Sequence, residues 1–261
     1  MDKYAVITGA SSGIGAEFAR QLSAIGYSTI LIARRADRLR SLQAELPTPA
    51  KIVEADLSTR SGCARVLDVI EDQDVRIFIN CAGFGDCGKF IETDEEKEFS
   101  MVDVNIKAVH FLSKRVIRYF QEERQGKGYL LNVASSAGLM PAGPYMATYY
   151  ATKAYVVSLT RAISYEMKQE NSSVYVGCLC PGPVDTEFND VANVSFALPG
   201  ISAKACVSYA IQKMFRKKTV IIPSLRMRAA VFGSRLLPSG VVIPITARQQ
   251  KKKIGADQRA E

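Results

Sequence analysis

The chain predicts an α/β protein: a doubly wound parallel sheet of about seven strands, with helices on both faces, in a single domain. Three observations predict it. Apolar, strand-like runs alternate with helical periods from the N-terminus to about residue 222. The strand runs are nearly all apolar rather than alternating, as strands buried on both faces require. Glycine and polar residues collect where the strand runs end, which is where open α/β sheets hold their ligands.

KYAVIT opens the chain as a strand and runs at once into GASSGIG, followed by an amphipathic helical pattern from about Ile14 to Ile25. Strand, glycine turn and helix form a cradle for a pyrophosphate: without Cβ atoms the backbone N–H groups and the helix N-terminus can approach the anion. STILIA (28–33) is the second strand, ending in Arg34 and Arg35, and Ala36–Leu46 reads as a helix. KIVEA (51–55) is the third strand, ending at Asp56, with a helix from about Thr59 to Glu71. RIFIN (76–80) is the fourth, running into the small-residue turn CAGFG, and one long helix is expected from about Glu95 to Glu123. GYLLNVAS (128–135), a helix over 148–169, SVYVGCLC (173–180) and the breaker PGP complete the alternation. No linker or repeat divides residues 1–222, and residues 223–261 form a basic C-terminal extension.

Composition narrows the function. The six cysteines are scattered without zinc spacing, and the single histidine, His110, lies in a helical pattern, so no metal site and no histidine-based hydrolysis is expected. No apolar run reaches membrane-spanning length, and Tyr4 enters an apolar run with no basic n-region before it; the expectation is a cytoplasmic protein. The net charge of +8 is uneven: from Lys213 onward twelve Lys/Arg face two acidic residues, so the body is nearly neutral and the tail is basic.

The stretch NVASSAGLMPAGPYMATYYATKAY (132–155) holds Tyr149 and Lys153, four residues apart. On a helix that spacing stacks both side chains on one face. A phenol titrates near 10, and an adjacent ammonium is expected to draw it toward working range. Ser136, thirteen residues before Tyr149, is the candidate to hydrogen-bond the same substrate oxygen, with Ser135 its competitor.

These motifs together resemble the short-chain dehydrogenase/reductase family, in its compact single-domain branch. The matching pieces are TGASSGIG (8–15), DLS (56–58), NCAG (80–83), Asn105, Ser136, Tyr149-x-x-x-Lys153 and PGPVDT (181–186), in the family's order. The resemblance implies a Rossmann-type three-layer sandwich and hydride transfer between a nicotinamide cofactor and a ketone or secondary alcohol. It implies that Tyr149 moves the proton, Lys153 tunes it and bonds the nicotinamide ribose, Ser136 orients the substrate oxygen and Asn105 holds a water leading to Lys153. It implies cofactor contacts from Gly9, Ser11, Ser12, Gly13, Ile14 and Gly15; from Asp56 and Leu57 at the adenine; from Asn80, Ala82 and Gly83 beside the ribose; and from Pro181, Gly182, Val184 and Thr186 at the carboxamide.

At the end of strand two, where a preference for NAD calls for an acidic residue, stand Arg34 and Arg35. Guanidinium groups suit a 2′-phosphate, so NADP(H) is expected over NAD(H). A substrate lid is expected over about 187–201, where Phe188, Val191, Val194, Phe196 and Leu198, with Leu139, Met140 and Met146, would wall an apolar pocket. The substrate class that follows is a hydrophobic carbonyl compound, acyl- or steroid-like. The basic extension could rest peripherally on an anionic membrane, or pack on the body or a second subunit. Nucleic-acid binding is not expected, because no aromatic interleaves the charges after Phe232. Apolar faces on the helices at 95–123 and 148–169 resemble the family's oligomer-forming pair, implying a homodimer or homotetramer. The alternative function is a dinucleotide-binding regulator without turnover, for which the Ser136, Tyr149 and Lys153 set would have no use.

Overall fold

In the computed structural model, which describes residues 2–192 and 200–251, the strands and helices alternate as β1 (Lys3–Thr8), α1 (Gly13–Ala24), β2 (Ser28–Ala33), α2 (Ala36–Glu45), β3 (Ala50–Glu54), α3 (Arg60–Glu71), β4 (Asp74–Asn80), α4 (Glu95–Val102), α5 (Val109–Glu122), β5 (Tyr129–Val133), α6 (Ala147–Gln169) and β6 (Tyr175–Leu179). There follow β7 (Val184–Asp185), α7 (Phe188–Val191), β8 (Ile201–Ser202), α8 (Ala203–Phe215), β9 (Val220–Ile221), α9 (Leu225–Leu236) and α10 (Ser239–Lys251). Seven strands form one parallel sheet in the order β3-β2-β1-β4-β5-β6-β9, and β7 pairs with β8 apart from it. The seventh strand, β9, has two residues, too few for a pattern to mark in the sequence.

The alternation of side chains along each strand builds two cores. Ala5 and Ile7 of β1 face Phe18 and Leu22 of α1 and Val207 and Met214 of α8. Val6, between them, faces the opposite layer with Phe78, Val66 and Ile70 of α3, and Leu112, Val116 and Phe120 of α5. Every residue of β2 is buried, which is why its sequence shows no polar alternation. Phe18, Phe78 and Phe120 are fully buried, and truncating any of them to Ala would cost about 3–5 kcal/mol. The sheet order reverses between β1 and β4, so a crevice opens at the carboxyl ends of those strands.

The helix expected over 95–123 is not one α-helix. It is α4 and α5 joined by a π-helical segment, Asp103–Ala108, which contains Asn105. The wider turn is a device common at functional sites, and no apolar period announces it.

Residues 223–251, expected as an extension, fold as α9 and α10 and bury Val231, Ser234, Val242, Thr246 and Gln250. Arg228 donates to the Ile222 carbonyl at 2.8 Å and to the Tyr209 hydroxyl, tying α9 to the body. Among the described residues no helix is long and apolar enough to cross a membrane, and no cluster of three or more His, Cys, Asp or Glu could hold a metal. All six cysteines are free thiols. His110 is exposed and shares a 2.7 Å hydrogen bond with Tyr155.

Candidate active site

The crevice is built first from backbone approach. Thr8, the last residue of β1, accepts the N–H groups of Cys81 and Ala82 at 2.9 and 3.0 Å, fastening the turn after β4 to the glycine loop. Gly9, at φ +67°, lies so close to that turn that a Cβ would sit 2.8 Å from the Ala82 Cα. At Gly15 a Cβ would stand 2.2 Å from the Gly9 carbonyl oxygen, so the first turn of α1 packs directly on the loop. Ser12, the N-cap of α1, makes no side-chain cap bond and no acidic residue occupies the first turn. The amides at this helix end therefore keep their capacity for an anion, which fits a pyrophosphate.

Tyr149 and Lys153 sit one turn apart on α6, both buried, with the Lys153 Nζ 5.8 Å from the centre of the Tyr149 ring. The Lys153 ammonium donates to the Val133 carbonyl at 3.1 Å, which orients it toward the end of β5. Burial lowers its pKa to about 8. Burial is the largest influence on the Tyr149 phenol and raises it to about 12. The cause that lowers it is a hydrogen bond from a serine, and that serine is Ser135.

This favours Ser135, the competitor, over Ser136 as the hydroxyl beside Tyr149. Ser135 is extended, at φ −166°, and caps the short 3-10 turn Ser136–Leu139, its Oγ also accepting the Ala137 N–H at 3.1 Å. Ser136 begins the turn, and its backbone N–H is committed to the Pro181 carbonyl at 2.8 Å. Both serines border the cavity. Spacing counted across the loop 140–146 does not distinguish them.

Asn105 is fully buried on the π-helical segment. Its Nδ2 donates to the Phe84 carbonyl at 2.9 Å and to Thr152 Oγ1 at 3.1 Å, and its Oδ1 accepts the Phe84 N–H at 3.2 Å. A Cβ on Gly83 would meet the Asn105 Oδ1 at 2.7 Å and the Lys153 Nζ at 3.2 Å, which places both groups beside the turn after β4.

One cavity of about 1260 Å³ joins these parts. Its wall includes Gly9, Ser11, Ser12, Gly13, Ile14, Gly15, Arg34, Arg35, Asp56, Leu57, Ala82, Gly83, Pro181, Gly182, Val184 and Thr186, along with Ser135, Tyr149 and Lys153. Asn80 is the exception among the residues expected to touch cofactor. It is 2% exposed and points into the sheet, donating to Asn132 Oδ1 at 2.9 Å and Ser113 Oγ at 3.3 Å. Three buried polar side chains satisfy one another there, and Asn80 acts as a brace between β4, β5 and α5. Asp56 holds Ser58 in a local turn, with its Oδ1 accepting the Ser58 N–H at 3.0 Å, while Thr59 caps α3.

At the end of β2 the arginines divide. Arg34 is exposed, borders the cavity and makes no ion pair among the described residues. Arg35 donates to Ser11 Oγ at 3.2 Å, to Ser12 Oγ at 3.1 Å and to Glu187 Oε2 at 2.8 Å. Arg38, which the sequence reading did not single out, reaches Glu187 Oε1 at 3.1 Å. Two to three guanidinium groups beside two hydroxyls form a donor set for a phosphate.

On the far side the wall is mostly apolar, with Lys97, Arg226 and Gln249 also on it. Met140, Met146, Phe188 and Val191 line it, and the Phe188 ring lies 5.6 Å from that of Tyr149. Leu139 instead packs on the cluster of Val109, Val156 and Cys178. Val194, Phe196 and Leu198 lie outside the described residues. The closure that the sequence did not reveal comes from α9 and α10: Met227, Ala230, Leu237, Val242, Ile245 and Gln250 complete the wall. Gln250 donates to the Tyr150 hydroxyl, anchoring α10 beside the catalytic helix. The sequence reading has this segment as a basic extension and places no helices in it.

A glycine loop at a sheet reversal, a buried Tyr–Lys pair and a serine at the neighbouring strand end define a dinucleotide-dependent oxidoreductase. The comparisons agree with that class. The family model described as short chain dehydrogenase matches residues 3–194, and the chain belongs to that family, whose members are NAD(P)-dependent dehydrogenases and reductases. It is 35% identical over 191 residues to an uncharacterized oxidoreductase of Staphylococcus epidermidis, covering 72% of this chain and 81% of the relative. It is 30% identical over 185 residues to the very-long-chain 3-oxoacyl-CoA reductase of Meyerozyma guilliermondii, a match spanning 66% of this chain and 54% of that longer protein. The fold superposes with a TM-score of 0.79 on a short-chain dehydrogenase from Sphingobium yanoikuyae in complex with NADPH, at 29% identity over 90% of this chain and 94% of that one.

Proposed function

We propose that this chain is an NADPH-dependent reductase of a bulky, hydrophobic ketone, acyl- or steroid-like, and works in reverse on the secondary alcohol. The observation that carries the reading is the cavity in which Ser135, Tyr149 and Lys153 share a mostly apolar wall with Phe188, Val191 and the two C-terminal helices. A bound reduced nicotinamide would supply the hydride. The chain's own residues handle the proton and the oxygen.

Tyr149, its phenol held neutral by burial, donates its proton to the carbonyl oxygen as negative charge develops there. Ser135 hydrogen-bonds the same oxygen and fixes its distance from Tyr149. The phenolate left behind is stabilised by the Lys153 ammonium one turn along α6. With a pKa of about 8, Lys153 can also hand a proton inward, with Asn105 bracing the turn beside it. Arg34, with Arg35 and Arg38, favours a cofactor carrying a 2′-phosphate, and the backbone of Pro181–Val184 with Thr186 suits a carboxamide.

Association into a homodimer or homotetramer belongs to the same reading: Phe99 on α4 and Tyr155 and Tyr165 on α6 are exposed apolar residues on the expected contact helices. So does peripheral membrane contact, supported by exposed Leu225, Phe232 and Leu236 next to basic Arg226 and Arg235. The test is NADPH oxidation against ketones of graded size and polarity, with Tyr149→Phe as control. Turnover confined to small polar ketones, or equal turnover by the control, would overturn the reading.

A further inference from the structure

Glu187 follows Thr186 and begins the segment that closes on the cavity. Its carboxylate is gripped by the Arg35 guanidinium at 2.8 Å and that of Arg38 at 3.1 Å. Ser12 also bonds it, while Arg35 spans to both Ser11 and Ser12. The Arg35 hydrogen bond, more than any other contact, holds the carboxyl below the usual range, so it is an anion at neutral pH. Two guanidinium groups and a hydroxyl converging on one anion is the arrangement a phosphate monoester would take. Here the anion belongs to the chain.

The same short segment reaches the catalytic tyrosine. Phe188, the next residue, packs on Tyr149. The Val191 N–H returns to the Glu187 carbonyl at 3.2 Å, and the Val191 carbonyl accepts from Lys97 Nζ at 3.4 Å. Glu187 thus ties one end of α7 to the arginines while the other elements of α7 rest over the active site.

We propose that Glu187 occupies the 2′-phosphate subsite when no cofactor is bound, and that the arriving phosphate displaces it and frees the Glu187–Ala192 segment over Tyr149. The proposal rests on the NADPH reading. A carboxylate and a phosphate dianion repel at this range, so the two cannot share Arg35 and Arg38 without cost. The Glu187 ion pairs are half-exposed, which makes them weak enough for a bound phosphate to replace.

The probes are 2′,5′-ADP and 5′-AMP, which differ by the 2′-phosphate and need no turnover. Calorimetric titration of wild type, Glu187→Gln and Arg38→Ala is compared with hydrogen exchange at the Val191 and Ala192 amides. Glu187→Gln should bind 2′,5′-ADP roughly three- to tenfold more tightly and 5′-AMP as wild type does. In wild type, 2′,5′-ADP should speed exchange at both amides, and in Glu187→Gln exchange should be fast before any probe is added. Weaker binding of both probes to Glu187→Gln would mean that Glu187 clamps over a bound nucleotide, and would overturn the proposal, as would unchanged affinity. Failure of the NADPH reading shows separately, as wild type binding 2′,5′-ADP no better than 5′-AMP; the exchange rates and the Glu187→Gln titration then still decide the displacement.

Discussion

Replacing Ser135 by Ala, with Ser136→Ala as its partner experiment, puts the placement of the catalytic hydroxyl to the test. The phenol of Tyr149 is raised to about 12 by burial, and the Ser135 hydrogen bond is the first cause opposing that rise. Removing it takes away a positioned donor to the reacting oxygen, a loss of about 10²–10³ in kcat, or about 3–4 kcal/mol. It also removes the acceptor of the Ala137 N–H, costing about 1 kcal/mol of stability and lowering Tm by roughly 2–4 °C. The assay is steady-state NADPH oxidation with any ketone that wild type reduces, taken as a pH profile beside a thermal melt. Ser135→Ala should lose kcat far more than its melt can explain, and its Tyr149-dependent limb should move to higher pH. Ser136→Ala should keep kcat within about threefold, since its anchoring bond is made by backbone. A Ser136→Ala enzyme as impaired as Ser135→Ala, or more so, would refute the reasoning.

Arg34→Asp should swing cofactor preference toward NADH by about tenfold or more, because a carboxylate repels the 2′-phosphate and suits a 2′-hydroxyl; an unchanged ratio of kcat/KM for the two cofactors would sink the NADPH reading. Lys153 titrates near 8 in the fold against about 10.4 in an unfolded chain. Between those values the unfolded chain binds more protons, so stability should rise with pH, by at most about 3 kcal/mol, before the raised Tyr149 pKa reverses the trend above about pH 10. Denaturant midpoints at stepped pH should show this climb in wild type and lose it in Lys153→Met; a parallel climb in both would assign it elsewhere. Gly15→Ala should fail to accumulate as folded protein or melt far earlier, since its Cβ would stand 2.2 Å from the Gly9 carbonyl oxygen; a wild-type melt would show that α1 can shift off the loop. Phe232→Asp with Leu236→Asp should abolish sedimentation with anionic liposomes while leaving NADPH oxidation intact; wild type that does not sediment would remove the membrane contact.

The sequence alone determined whatever depends on neighbours within a turn or a strand. Largely apolar runs such as STILIA read as strands covered on both faces, GASSGIG read as a tight turn feeding a helix, and four-residue spacing put Tyr149 and Lys153 on one face of α6. Tertiary structure decided whatever depends on which surfaces meet. Asn80 reads like Asn105 in the sequence, yet β5 and α5 claim its amide for the sheet interior. Ser135, extended ahead of the 3-10 turn, is the serine that lowers the phenol's pKa, which spacing alone did not reveal. Glu187 finds Arg35 from 152 positions away, and Gln250 finds Tyr150 from 100. Periodicity records the direction a side chain takes from its own backbone; the partner waiting there is set by packing among distant elements, which no local pattern encodes.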